Sequence, residues 1–244
     1  MYNASMDLKH LLTLLCVVFC ITAGLPLAQD IPPAKTQEQT KPGDWRPMFD
    51  GKTLDGWKET PFVARGKVSV EDGNVILGKG YMTGIIWTRN FPKANYEIRY
   101  EAARVQGGDF FASITFPVHD SFCTWVSGGW GGSLVGLSSL DLMDASENDT
   151  TTMFTFNRGQ YYVFRLRVTD YTIEAWIDEE RVIAVDFSTR VVGLRPGEIE
   201  RSIPLGFASY STIGALRKIE YRLLPPEGNG GGPGGLPHPK ALPM

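Results

Sequence analysis

Cysteine and histidine are scarce in this chain of 244 residues, which contains three of each. Cys16 and Cys20 lie in an N-terminal apolar stretch, so Cys123 is the one cysteine beyond it and no disulfide can form there. Zinc is disfavoured, because its usual ligands are cysteine and histidine at short spacing and the interior offers only Cys123 and His119. Cys123 lies in an apolar, strand-like run, which predicts a buried and unreactive thiol.

Clusters of basic residues and phosphate-binding loops are also lacking. The 24 lysines and arginines are scattered among 27 acidic residues, giving a net charge of −3, which excludes the basic footprint of a nucleic-acid-binding protein. The glycine-rich run at 127–133 is not followed by the lysine and hydroxyl residue of a phosphate loop. The sequence therefore predicts no nucleic-acid partner and no cofactor.

The N-terminal residues have the pattern of an export signal. Residues 11–21 are almost entirely apolar, which is the length of a signal-peptide core and too short for a membrane span. We expect residues 1–28 to be a signal peptide cleaved between Gly24 and Gln29, which predicts a periplasmic or extracellular protein without a membrane span. Retention as an uncleaved anchor and lipidation at Cys20 are the alternatives.

The two ends of the mature chain have compositions that cannot bury a core. Residues 29–43 are rich in proline and polar residues, which predicts a flexible linker. Residues 226–244 are rich in glycine and proline, which predicts a disordered tail. The folded domain is therefore expected at 44–225.

Inside this domain the hydrophobic period is two, and no helical stripe of three turns is found. Asp72 and Gly73 separate two short apolar runs, which is a strong hairpin signal. About a dozen short strands joined by Gly, Pro, Asn and Asp turns predict an all-β fold, an antiparallel two-sheet sandwich. The predicted strands include Val68–Glu71, Asn74–Leu77, Met82–Thr88, Tyr96–Ala102, Phe110–Phe116, Phe122–Val126, Ser133–Leu140, Met153–Phe156, Tyr162–Val168, Ile173–Ile177, Val182–Phe187, Ile203–Tyr210 and Arg217–Leu223.

Four glycines surround Trp130 in the centre of the chain and interrupt the strand pattern. Glycine allows positive φ angles and close approach of the backbone to another group. An exposed indole in such a loop can stack against the apolar face of a sugar ring. The alternative is that Trp130 is part of the core.

A dense acidic loop follows, with carboxylates at Asp141, Asp144, Glu147 and Asp149, and an amide at Asn148. Carboxylates that converge in a partly dry cleft raise one another's pKa, which prepares a general acid or base near neutral pH. The same oxygens are also suitable ligands for calcium, although their spacing differs from the helix-loop-helix calcium motif. A solvated loop whose acids cap turns is the third interpretation.

Two further polar residues lie beside predicted strands. Asp109 opens the predicted strand Phe110–Phe116, so its carboxylate could point into a concave face of the sheet. His119 lies in a loop between strands and is a substrate-binding candidate, although a single surface histidine usually has no function.

Five segments resemble a known family. The run Phe49–Trp57, with sequence FDGKTLDGW, resembles the opening signature of secreted bacterial proteins with a concanavalin A-like jelly-roll fold, the 3-keto-disaccharide hydrolases. Val70–Asn74 is similar to the next hairpin of that family, and Tyr96–Glu101 to the strand after it. Ile173–Asp178 and Leu216–Ile219 are similar to two later strands.

The resemblance implies an exported enzyme that cleaves a glycosidic bond near a ketone. In that chemistry a carboxylate removes the proton next to the ketone and a general acid helps the leaving group depart. No metal is assigned. The predicted site residues are Asp109, Asp141, Asp144 and Glu147 as catalytic carboxylates, Trp130 as the stacking ring, and Asn148 and His119 as substrate-binding groups.

This chain departs from the family late in the sequence. The family's Gln-Asp-His-Gly segment is here Phe207–Ser211, which contains no histidine. A role that depends on that histidine is therefore not transferred. A lectin-like module that binds glycans without cleaving them is the main alternative, and a structural envelope protein is the third hypothesis.

Overall fold

The computed structural model describes residues 43–226. The predicted signal peptide, nearly all of the linker, the tail from residue 227, and Cys16 and Cys20 lie outside the described residues. Within residues 43–226 the structure contains no helix of the length and hydrophobicity that a membrane span requires.

The described residues form an antiparallel sandwich of two sheets, which confirms the all-β jelly-roll prediction. One sheet has the order β13-β12-β11-β6-β15-β4-β3 with β1 paired to β15, and the other has the order β10-β9-β8-β7-β14-β5-β2. One short 3-10 helix, Glu198–Ser202, precedes β14. The strands are β1 (Arg46–Pro47), β2 (Trp57–Glu59), β3 (Val68–Glu71), β4 (Asn74–Leu77), β5 (Met82–Trp87), β6 (Tyr96–Gln106), β7 (Ser113–Val118), β8 (Ser121–Gly129), β9 (Leu134–Ser138), β10 (Thr152–Met153), β11 (Tyr161–Val168), β12 (Thr172–Ile177), β13 (Glu180–Asp186), β14 (Gly206–Tyr210) and β15 (Ile213–Leu223).

Aromatic side chains join the two sheets. Tyr100 on β6 stacks against Phe164 on β11 with ring centroids 5.1 Å apart, and both rings meet side chains of the other sheet. Tyr100 lies 4.7 Å from Phe207, and Phe164 lies 5.5 Å from Trp125. All four rings are fully buried, as the period-two pattern requires of one face of each strand.

The opening FDGKTLDGW run folds as a tight turn that fixes a buried indole. Asp50 accepts hydrogen bonds from the backbone N–H of Thr53 and from its hydroxyl, which closes the turn. Trp57 donates its indole N–H to the carbonyl of Met48 at 2.7 Å and packs edge-on against Trp87. The signature therefore stabilises the fold, and its side chains do not line the cleft described below.

The buried thiol and the hairpin agree with prediction. Cys123 is fully buried, and burial raises its pKa to about 12, so the thiol is unreactive near neutral pH. Asp72 and Gly73 both have positive φ, 48° and 78°, as a type I′ hairpin turn requires.

The prediction of a strand over Phe110–Phe116 was wrong at its start. The strand begins at Ser113, and Phe110 faces outward, half-buried, whereas Phe111 enters the core. The regular pairing of β7 with β14 ends at Ser113, opposite Ala208, and the carbonyl of Phe110 then accepts the N–H of Tyr210 at the end of the same β14 strand.

Three other predicted strands are shorter in the structure by two residues or more. The segment predicted as Ser133–Leu140 forms a strand over Leu134–Ser138. In the segment predicted as Met153–Phe156 only Met153 belongs to a strand, the two-residue β10 that begins at Thr152. In the segment predicted as Ile203–Tyr210 the strand begins at Gly206, and Pro204, which has no backbone N–H, lies before it.

Candidate functional site

A cleft of about 450 Å³ lies on the outer face of the seven-stranded sheet. Thr124 and Val126 of β8 line it, whereas Trp125 between them points into the core, as strand alternation requires. The loop that contains Arg195 and the 3-10 helix closes one side. The remaining lining includes Tyr81, Met82, Asp109, Phe110, Ser113, Trp130, Ser138, Asp144, Pro196, Gly197, Glu198, Ile199 and Tyr210.

Aromatic rings form one wall of this cleft. Trp130 is 46% exposed and Tyr81 is 54% exposed, so both rings remain accessible to a ligand. Tyr210 packs edge-on against Tyr81, with centroids 5.1 Å apart, and is tilted against Phe110 at 5.7 Å. Such a wall suits the apolar face of a sugar ring.

The loop that carries Trp130 is fixed from below by a buried arginine. Arg104 donates from Nη2 to the carbonyl of Gly132 at 2.8 Å and to the carbonyl of Phe156 at 3.1 Å. Burial lowers the pKa of Arg104. Gly132 has φ +109°, and a Cβ there would meet the Arg104 guanidinium at 2.3 Å, so both the backbone angle and the close approach require glycine.

Arg104→Met is expected to lower the free energy of unfolding by about 1–3 kcal/mol, because it leaves two buried carbonyls without a donor. Chemical denaturation measures the loss. Arg158→Met is the matched control, since Arg158 is exposed on a nearby turn. Equal stability of the two variants would show that Arg104 does not anchor the loop.

Asp109 is the least constrained carboxylate in the cleft. Its Oδ1 accepts the N–H of Phe110 at 2.8 Å, and its own N–H donates to Thr212 at 3.0 Å. Within residues 43–226 its Oδ2 has no hydrogen-bond partner. This oxygen is therefore available to a bound molecule.

Asp144 is held on both oxygens. Its Oδ1 accepts the hydroxyl of Ser138 at 2.6 Å and the N–H of Ala145 at 2.7 Å. Its Oδ2 pairs with Arg195 at 2.6 Å. A carboxylate in three such contacts is held in one orientation, with the cleft on one side.

The phenolic hydroxyl of Tyr210 stays protonated at neutral pH. The neighbouring Tyr81 raises the pKa of Tyr210, and burial and the Asp109 carboxylate contribute in the same direction. The phenol therefore keeps its proton at neutral pH and can act as a donor in the cleft.

A second cleft of about 730 Å³ lies on the other side of Arg195 and Pro196. Asp144 borders both clefts, so its ion pair with Arg195 separates them. Glu147 is exposed and lines only the second cleft. The structure therefore brings Asp109, Asp144 and Trp130 to one cleft and places Glu147 beside it.

Asp141 lies outside both clefts. It accepts hydrogen bonds from Arg190 at 2.8 Å and from the N–H of Val191 at 2.9 Å. These contacts lower the pKa of Asp141, and the hydrogen bond from the Val191 N–H has the largest effect. Arg190 also pairs with Asp149. These two acids therefore hold the Arg190 segment and do not face a ligand.

Asn148, predicted to bind a sugar hydroxyl, uses its side chain in contacts within the chain. The side chain is buried, and its amide donates to three backbone carbonyls, those of Leu137, Met143 and Asp144. Its oxygen accepts from Thr150. Asn148 therefore shapes the acidic loop and has no group left for a substrate.

His119 likewise lies outside both clefts. One ring nitrogen contacts the carbonyl of Asp170 at 2.9 Å, and the ring packs against Phe187. Substrate binding by His119 therefore has no support in this geometry. The calcium alternative has none either, because residues 43–226 contain no cluster of three or more metal-binding side chains.

Several residues that line the cleft were not predicted from the sequence as site residues. Tyr81, Tyr210, Arg195 and Glu198 come from three segments that are distant in sequence and meet only in the folded sheet. The one signal in the sequence for Tyr210 is its place at the end of a predicted strand. This signal is weak, because tyrosines in strands are usually structural.

The fold and the cleft together define a class, a β-sandwich protein with an aromatic-walled cleft on one sheet. The profile of the family described as 3-keto-alpha-glucoside-1,2-lyase-like domain matches residues 44–222. Because this match covers most of the chain, the chain belongs to that family. No curated protein matches the sequence.

Solved structures of similar fold include several carbohydrate-related proteins. The Crh5 transglycosylase, solved in complex with NAG, is 14% identical with a TM-score of 0.52, covering 74% of this chain and 83% of that chain. A candidate glycosyl hydrolase from Parabacteroides distasonis is 15% identical with a TM-score of 0.49, covering 74% and 94%. The carbohydrate-binding module CBM66 from Bacillus subtilis is 8% identical with a TM-score of 0.45, covering 68% and 95%. At these identities the likeness concerns the fold alone.

Proposed function

We propose that this chain cleaves the glycosidic bond of 3-keto-glycosides in the 450 Å³ cleft. The observation that supports the proposal best is the convergence of an unoccupied carboxylate oxygen on Asp109, a protonated phenol on Tyr210 and an exposed indole on Trp130. Membership of a family described as lyase-like supports the same reaction class.

The chemistry needs one base and one acid. A ketone at C3 makes the proton on C2 acidic, so a carboxylate can remove it. The electron pair then forms the double bond between C1 and C2, and the C1–O bond breaks. The departing oxygen takes a proton from the general acid, and water adds to the double bond if hydrolysis follows.

Asp109 is assigned as the base and Tyr210 as the acid. Oδ2 of Asp109 has no hydrogen-bond partner in the described residues, whereas both oxygens of Asp144 are occupied. The phenol of Tyr210 carries a proton at neutral pH, and we assign this proton to the leaving oxygen. Both groups belong to one wall of the cleft, because the carbonyl next to Asp109, that of Phe110, accepts the N–H of Tyr210.

Trp130 and Asp144 are assigned to binding. The indole stacks on the ring face, and the side chain of Asp144, fixed by Ser138, accepts a sugar hydroxyl. Arg195 is 61% exposed beyond its contact with Asp144, so its remaining N–H groups can donate to the substrate.

The test is to incubate the purified chain with a 3-keto-disaccharide and, separately, with the parent disaccharide. We expect the keto-sugar to be consumed and the parent sugar to remain, as followed by chromatography of the released monosaccharide. Recovery of both sugars intact, at protein concentrations that bind them, would refute cleavage.

That last outcome would support the lectin-like alternative. It is favoured by one observation: Asp141, Asp144 and Asn148, three of the polar groups predicted to act on a substrate, are engaged in holding loops. A binding module would retain affinity for both sugars and return them unchanged.

We also propose that the protein is exported. The proposal rests on the apolar run at residues 11–21 and the small residues after it. N-terminal sequencing of the protein recovered from outside the cytoplasm of a bacterial host is expected to begin between Gly24 and Gln29.

A further inference from the structure

The outer face of the eight-stranded sheet, opposite the cleft, carries an excess of positive charge. Seven cationic side chains make ion pairs there with four carboxylates, Glu97, Glu101, Glu174 and Glu220. Two further carboxylates, Glu71 and Asp186, lie on the same face, because Glu71 pairs with Asn74 and Asp186 pairs with Thr172. Seven cations therefore stand beside six carboxylates, and one positive charge remains in excess in a chain whose net charge is −3. We name as the arginine face the residues Arg99, Arg165, Arg167, Arg181, Arg217, Lys218 and Arg222.

Strand register aligns part of this face into a row. Arg165 on β11 is directly opposite Arg99 on β6 and, on its other side, opposite Trp176 on β12. Trp176 is in turn opposite Arg181 on β13. Three arginines and an indole thus cross four neighbouring strands, whose spacing is about 4.8 Å.

Like charges directly opposite each other on neighbouring strands destabilise a sheet. Arg99 and Arg165 form such a pair. The neighbouring row alternates in sign, with Glu174, Arg167 and Glu97 in register, so the sheet can accommodate a balanced arrangement. The excess of positive charge in the row of Arg99, Arg165 and Arg181 is therefore not required by the fold.

Aromatic rings hold the guanidinium groups flat against the sheet. The guanidinium of Arg165 lies 3.7 Å from the ring centroid of Trp176, and that of Arg99 lies 3.9 Å from Trp45. The side chain of Arg165 is 33% exposed and that of Arg99 is 42% exposed, so each keeps N–H donors directed to solvent. Planar, fixed guanidiniums match carboxylate and sulfate groups well.

We propose that the arginine face binds an anionic polysaccharide that carries carboxylate or sulfate groups along its chain. The repeated cations suit a ligand with repeated charges better than they suit a single anion. A lipid surface is a weaker match, because the large apolar side chains exposed on this face among the described residues are two valines, Val105 and Val163, which leave little to insert into a bilayer. Since this face and the cleft belong to opposite sheets, the proposal does not depend on the proposed function.

Binding is measured by calorimetry with polygalacturonate, in low and in high salt, and with neutral dextran as the uncharged comparison. Arg99→Gln/Arg165→Gln is expected to weaken binding at least about tenfold, the loss expected for two charge-assisted contacts. Lys52→Gln/Lys58→Gln, which removes two exposed lysines elsewhere, is expected to change little. The wild-type affinity should fall as salt is raised.

A second double variant tests the proposal independently of whether the first double variant folds. Arg181→Gln/Lys218→Gln removes two well-exposed cations and leaves Arg167 with Glu174 and Arg217 with Glu101. It should weaken polygalacturonate binding to a similar degree while thermal unfolding and keto-sugar turnover stay unchanged. The proposal is overturned if polygalacturonate does not bind, if the lysine control loses as much affinity, or if duplex DNA, phosphatidylglycerol vesicles or a second copy of the chain binds this face more tightly.

Discussion

Asp109→Asn is expected to lower kcat for a 3-keto-disaccharide by about 10²- to 10⁴-fold, the usual contribution of a positioned general base. The amide keeps the size of the side chain and can still contact the N–H of Phe110 through its oxygen. It removes the basic oxygen, Oδ2, for which residues 43–226 provide no hydrogen-bond partner. The free energy of unfolding should therefore change little while turnover falls, and steady-state kinetics together with chemical denaturation measures both.

Two matched variants are compared with Asp109→Asn to test whether the loss of turnover is specific to that carboxylate. Asp186→Asn changes an exposed carboxylate at the end of β13, on the sheet that does not form the cleft, and is expected to leave kcat unchanged. Asp144→Asn is expected to act mainly on KM, because that carboxylate is assigned to binding. If Asp144→Asn abolished turnover and Asp109→Asn did not, the assignment of the base would have to be reversed.

The architecture could be predicted from the sequence because most strands carry their own signal, although the short β1 and β2 do not. Alternation along Tyr96–Ala102 and Tyr162–Val168 specifies which side chains face the core, and Asp72-Gly73 specifies a turn. These signals are local, so one sequence suffices to recognise them. The prediction was wrong at strand ends, because the neighbouring strand decides where regular pairing stops, as for β7, which pairs with β14 only from Ser113 onwards.

The cleft was less predictable because it is assembled from distant segments. Trp130 and Asp109 stand out locally, one by its glycines and the other by its place before an apolar run. The roles of Asp144 and Asn148 depend on Arg195 and on backbone carbonyls, which the sequence of the loop alone does not bring together. The dense acidic loop therefore predicted three catalytic candidates, Asp141, Asp144 and Glu147, where the structure uses most of the polar groups to hold the loop.

Glu97 provides the largest expected change in stability. Its carboxylate is almost completely buried and is surrounded by Arg165, Arg167 and Arg222, with the closest contact 2.8 Å from Arg222. Glu97→Gln would leave three guanidiniums around a neutral amide. We expect a loss of about 2–3 kcal/mol, below the roughly 3–5 kcal/mol of a fully buried pair, because the arginines are about one third exposed.

The matched control is Glu101→Gln on the same strand. Its carboxylate pairs with Arg217 and with Lys218, whose side chain is 67% exposed, so water can replace much of the interaction. The expected loss is about 1 kcal/mol or less. Urea denaturation of the wild type and both variants at neutral pH measures the difference, and equal losses would show that Glu97 has no special role.

The pH dependence separates the charge of Glu97 from its packing. Burial alone would raise the pKa of Glu97, but the hydrogen bond and charge of Arg222, together with Arg167 and Arg165, lower it overall. A carboxyl whose pKa is lower in the folded than in the unfolded state contributes stability above its unfolded pKa of about 4.3, and this contribution is lost as the pH falls through the folded pKa. The wild type should therefore lose its advantage over Glu97→Gln in that acid range, whereas a difference that persists unchanged at acid pH would assign the effect to packing.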